Sequence, residues 1–109
     1  MIVIVFKYLV PKGFRGLTLF PFVFLLNKKD KTNAVLLNHE RIHIKQQLEL
    51  LVVFFFVWYG LEFVFRLIQF RDKAKAYQNI SFEREAYQFE QDLDYVNKRN
   101  LFSFFSFVI

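Results

Sequence analysis

The sequence predicts an α+β fold, predominantly helical, with a strand pair at the N-terminus, and three observations predict it. Two runs rich in β-branched and aromatic residues fill the first quarter of the chain. Apolar residues then recur at helical spacing through much of the remainder. The length of 109 residues allows one hydrophobic core and not two, so 1–109 reads as a single domain.

Residues 2–10 read as a strand, closed by the turn "PKGFRG". "LTLFPFVFLL", 17–26, reads as a second strand, and Pro21 assigns it to a sheet edge because proline cannot donate to a ladder. "NKKDKTN", 27–33, is a polar loop. A long helix starts with Thr32 or Asn33 as N-cap and runs to about Tyr59, where Gly60 ends or kinks it. The stretch 61–71 continues that helix or folds back, and 71–79 is polar with weak helical signals. Asn79 or Ser81 caps a further helix over 82–98, and the apolar tail "LFSFFSFVI" reads as a last strand or a docked segment.

Seventeen phenylalanines and 55% apolar residues are more hydrophobic surface than one such domain needs. The excess implies cover from a partner chain, a membrane surface or a dense core. The longest apolar run, "LLVVFFFVWYGL", is shorter than the roughly 20 residues that span a bilayer, and it reads as a buried central helix. No basic leader or cleavage site marks a signal peptide, so the expected location is cytoplasmic or membrane-associated. The net charge is +5, but its residues are scattered (Lys28, Lys29, Lys31; Lys73, Lys75; Lys98, Arg99). They read as solvated charge, and no nucleic-acid partner is expected. The absence of cysteine excludes disulfides and thiolate metal sites.

"LLNHERIHIKQQ", 36–47, carries the only two histidines, His39 and His43. On a helix they lie about 40° apart, inside the stripe that faces the core, while Arg41 and Lys45 take the solvated side. Two inward imidazoles need partners or suffer desolvation. A zinc ion bound by both removes that penalty, and Glu40, about 100° round, is placed to take a proton from water at the metal. The spelling H-E-x-x-H is the metallopeptidase pattern. A catalytic zinc needs a third protein ligand, which here must be a carboxylate. The helix over 82–98 has an apolar arc of Phe82, Ala86, Phe89, Leu93 and Val96, with Glu83 and Glu90 on one border and Glu85 on the other. Periodicity does not choose between Glu83 and Glu85.

"NHERIH" followed by "FEREAY" resembles the gluzincin zinc metallopeptidases, including their minimal single-domain members and small bacterial proteins with this motif set. In that family a downstream glutamate, often opening an E-x-x-A-D pattern, completes the zinc site. The resemblance implies a minimal zincin-like core with Glu83 as the third ligand. Tyr87 stands where the pattern has an aspartate that orients a ligand histidine, and Glu90, on the face of Glu83, is its possible substitute. It further implies a peptide or protein substrate paired against the edge strand 17–26, one Zn²⁺ held by His39, His43 and Glu83, and Glu40 as general base. Tyr87 and Tyr77 are candidates for a second electrophile. The alternatives are a non-catalytic zinc-binding structural or sensing domain and, as a separate reading, a membrane-associated interaction protein whose Phe-rich helix sits in lipid.

Overall fold

The computed structural model describes residues 1–108; Ile109, at the end of the expected tail segment, lies outside the described residues. Within that range the chain is α+β and mainly helical, with five helices and a three-stranded sheet.

The first strand, β1 (Ile2–Val5), ends earlier than expected, and the chain turns through a 3₁₀ segment at Lys7–Leu9. The stretch 17–26 is a hairpin rather than one strand. β2 (Gly16–Leu19) and β3 (Phe22–Leu25) pair antiparallel around the two-residue loop Phe20–Pro21, whose peptide bond is cis. Pro21 thus sits in a turn, where no ladder donor is required of it. β3 is central, parallel to β1, in the order β1-β3-β2. The edge that faces the helices is therefore β2.

Asn33 caps α1 (Ala34–Glu49), its side-chain oxygen accepting from Leu36 N at 3.0 Å. The helix does not reach Tyr59. Leu51 and Val52 take φ of 56° and 58°, and α2 (Val53–Phe70) begins at once in a new direction. Such angles cost non-glycine residues about 1–3 kcal/mol each and persist only when the surroundings impose them. Here Val52 N bonds back to Gln47 O at 2.7 Å, while the Glu49 carboxylate at the helix end accepts from Arg99 and from Phe102 N. Gly60, the expected break, lies within α2, where an added Cβ would meet nothing within 4 Å. A helical glycine costs only about 1 kcal/mol, too little to end a helix of this length.

After α3 (Lys73–Gln78), the expected helix over 82–98 is two pieces, α4 (Ser81–Phe89) and α5 (Tyr95–Lys98). Leu93 falls between them and is exposed, whereas Phe82 and Ala86 of the expected arc are buried. Neither Asn79 nor Ser81 caps α4 with its side chain. Instead the Glu62 carboxylate of α2 accepts from Ser81 N at 2.9 Å and from Ser81 Oγ, placing negative charge at the helix start. The tail docks as a 3₁₀ segment at Ser103–Phe107, with Phe104 packed on Phe82.

Phe55, Ile80, Phe82 and Phe104 form one core cluster, and Val23, Leu25 and Ile44 join the sheet to α1 in another. Among the described buried residues, 12 are apolar and 11 are polar or charged. Hydrogen bonds and ion pairs must therefore hold α1 against α4 alongside apolar packing. Arg99, expected as solvated charge, has its side chain buried between Glu85 (2.8 Å) and Glu49 (2.7 Å). α2 also departs from expectation: it is not a buried central helix, since Phe55 alone among its residues is buried. The sheet, α1 and α4 pack together on one side of it, and its other side faces outward.

Candidate metal centre

α1 and α4 lie side by side, and the contact brings His39, His43 and Glu83 together, all buried. His39 Nε2 and His43 Nε2 are 3.2 Å apart, and Glu83 Oε1 lies 3.2 Å from the first and 3.0 Å from the second. Three ligands at about 2.05 Å from a tetrahedral zinc would be about 3.3 Å from one another, so the triangle is close to that size. Two imidazoles and a carboxylate can hold a metal ion here. Between Glu83 and Glu85, left open by periodicity, the geometry separates the roles: Glu83 reaches the histidines, and Glu85 points to Gln46, Tyr95 and Arg99.

Each of the three side chains is held by a further group. His43 Nδ1–H donates to Gln46 Oε1 at 2.7 Å, which turns Nε2 toward the centre. Gln46 is fixed in turn by donating to Phe82 O and to Glu85 Oε1. Tyr59 of α2 donates to Glu83 Oε2 at 2.8 Å, leaving Oε1 to face the histidines. Glu90 Oε2 lies 3.6 Å from His39 Nδ1, so a carboxylate does stand behind this histidine. Tyr87 instead packs edge-on against the His39 ring, centroids 4.6 Å apart, and donates to Tyr77.

The electrostatics follow from this burial. Desolvation pulls His43 down, but the Glu83 carboxylate beside it, with contributions from Glu40 and Gln46, raises it to about 9. Burial pushes Glu83 up, yet the two histidines hold it well below the usual carboxylate range. Burial and the Glu83 charge push Tyr59 upward, so its phenol stays a donor.

Glu40 turns to β2, where Thr18 Oγ1 donates to its Oε2 in a short bond. Gly16 leaves room for the other oxygen: a Cβ there would stand 3.1 Å from Glu40 Oε1. Glu40, His43 and Glu83 line a cleft of about 240 Å³ whose walls include Phe14, Leu17, Phe55 and Phe56. A smaller cavity of about 150 Å³ lies on the His39 side, lined by Arg15, Tyr87 and Glu90, and it shares Glu40, Gly16 and Tyr77 with the first.

Sequence reasoning gave no role to Gln46 and missed Thr18, Tyr59 and the Glu85–Arg99 pair. The spacing of Gln46 three residues after His43 was the available signal; the others are contacts between distant segments. No family model, curated protein or solved structure matches this chain.

Proposed function

We propose that the chain is a zinc-dependent, gluzincin-type metallopeptidase-like protein that hydrolyses peptide bonds, with Glu40 as general base. The observation that carries this reading is the meeting of His39 Nε2, His43 Nε2 and Glu83 Oε1 within 3.2 Å, beside a cleft that Glu40 also lines. The two-histidine, one-carboxylate donor set is that of a catalytic zinc rather than of a hard-cation site, which would favour oxygen ligands alone. When bound, zinc would polarise the scissile carbonyl and lower the pKa of a water.

The chain's own residues supply the rest. The Glu40 carboxylate, anchored by Thr18, accepts the proton of the attacking water and returns it to the leaving amine. Gln46 and Tyr59 keep the ligand atoms of His43 and Glu83 aimed inward. Tyr77 accepts from Tyr87, so its own O–H is left for the carbonyl oxygen of the substrate. An extended peptide pairs along β2, a form of strand addition. Gln47 sets its limit, because its amide already donates to Thr18 O at 2.8 Å and accepts from Phe20 N at 2.7 Å. Pairing is therefore confined to the part of the edge nearest Gly16, next to Glu40. The walls of the larger cleft select an apolar side chain beside the scissile bond.

One observation favours the second reading, a non-catalytic zinc-stabilised or sensing domain. All three ligands are nearly inaccessible, at 4–5% exposure, as in a closed structural site. Incubating the zinc-loaded protein with a mixed peptide pool and reading the products by mass spectrometry distinguishes the two. The peptidase reading predicts cleavage next to apolar residues that stops on chelation and returns with zinc. A zinc-bound protein that leaves every peptide intact would support the structural reading instead.

A further inference from the structure

α2 is arranged inside out. Its polar groups turn toward the domain: Glu62 accepts from Trp58 Nε1 and caps α4, Arg66 Nη2 donates to Val108 O at 2.7 Å, and Tyr59 donates to Glu83. The opposite half presents Val53, Phe54, Val57, Leu61, Phe65 and Ile68, with Leu61 69% and Ile68 73% exposed. At 100° per residue these positions, with Phe56, Gly60 and Val64, fill an arc of about 180° that holds no polar or charged side chain along the whole helix. A helix on the surface of a water-soluble domain turns its apolar stripe to the core and its polar face to water. This one does the reverse.

We infer that this face of α2 docks onto a lipid bilayer, lying in the plane of one leaflet with its apolar half among the acyl chains. Crossing the bilayer is disfavoured, because one side of α2 is partly covered by the domain, with Phe55 buried and Tyr59, Glu62 and Phe63 half-buried, and the adjoining α3 carries exposed Lys73 and Lys75. Those charges stay at headgroup level if the helix lies flat. α2 runs directly into Arg71, Asp72, Lys73 and Lys75, three cations against one anion, which suits anionic headgroups. The apolar face also widens beyond the helix. Exposed Leu48 and Leu51 precede it, and exposed Phe105 packs beside Trp58 with ring centroids 5.8 Å apart. Phe54, Leu61, Phe65 and Val108 border a groove of about 410 Å³ along it. Acyl chains can conform to the shape of such a groove. The docking is independent of whether the centre hydrolyses peptides, although it sets the cleft walls Phe55 and Phe56 close to the headgroups.

The test is flotation of the full chain with phosphatidylcholine vesicles, with and without phosphatidylglycerol. Wild type is expected to float with both and more completely with the anionic mixture, and a Leu61→Glu, Phe65→Glu variant to float at least about tenfold less. Both substitutions point outward, and circular dichroism checks that the fold is kept. Trp58 is the only tryptophan, so quenching of its fluorescence by bromine-labelled acyl chains reports contact in the wild-type protein without any variant. Wild type that stays at the bottom of the gradient and is not quenched overturns the inference. So does a detergent-free dimer that masks this face and ignores vesicles.

Discussion

Glu40→Gln is expected to lower peptide hydrolysis by about 10²–10⁴-fold, the usual contribution of a positioned proton-transfer group, and to leave bound zinc unchanged. Glutamine has the same size and can still accept from Thr18 through its carbonyl oxygen, so the contact between α1 and β2 survives. It cannot take a proton from water. Glu40 is not among the three residues that could hold a metal, so a bound ion would keep its full protein set. The two readouts are peptide cleavage rate and zinc content on the same sample. Unchanged cleavage would remove Glu40 from the mechanism, and loss of zinc together with activity would make it part of the metal site.

The second large effect concerns stability. Arg99→Met is expected to destabilise the fold by about 3–5 kcal/mol, a large share of the roughly 5–15 kcal/mol typical of a domain. Arg99 holds Glu85 through Nε at 2.8 Å and Nη2 at 3.1 Å, and Glu49 through Nη1 at 2.7 Å. All three side chains are almost wholly inaccessible. Methionine keeps most of the volume but leaves two carboxylates buried without their cation. The damage would spread toward the metal centre, because Glu85 also anchors Gln46, the residue that orients His43. Urea unfolding checks it: a midpoint shift worth under about 1 kcal/mol would show that the pair contributes little.

The part of α1 that could hold a metal was legible because its information is local. His39 and His43 share a face at any helical geometry, and the surrounding apolar stripe already turned that face inward. Glu83 was half legible. It borders the apolar arc of α4, but so does Glu85, and only the docking of α4 against α1 sends one to the histidines and the other to Gln46 and Arg99. The carboxylate behind His39 was anticipated in Glu90, which periodicity placed on the face of Glu83. The break at Leu51 and Val52 was not legible, since "LELLVVFFF" contains no residue that favours positive φ. The turn is imposed by Glu49, Arg99 and the docked tail, and it is what returns Tyr59 to Glu83. The hairpin at Pro21 was read as an edge strand because proline excludes a central ladder position and a turn alike explains its presence. The direction in which α2 faces was hidden for a different reason. Hydropathy records how apolar a helix is, not which of its sides another element covers.

The chemistry proposed for the centre requires that His39, His43 and Glu83 bind a metal in solution. The direct measurement is metal analysis of the purified, zinc-supplied protein beside a His39→Ala control, with circular dichroism confirming that both are folded. About one zinc per chain in the wild type, lost in the folded control, is the predicted result. A folded wild type that retains no zinc when zinc is supplied would contradict the account at its root.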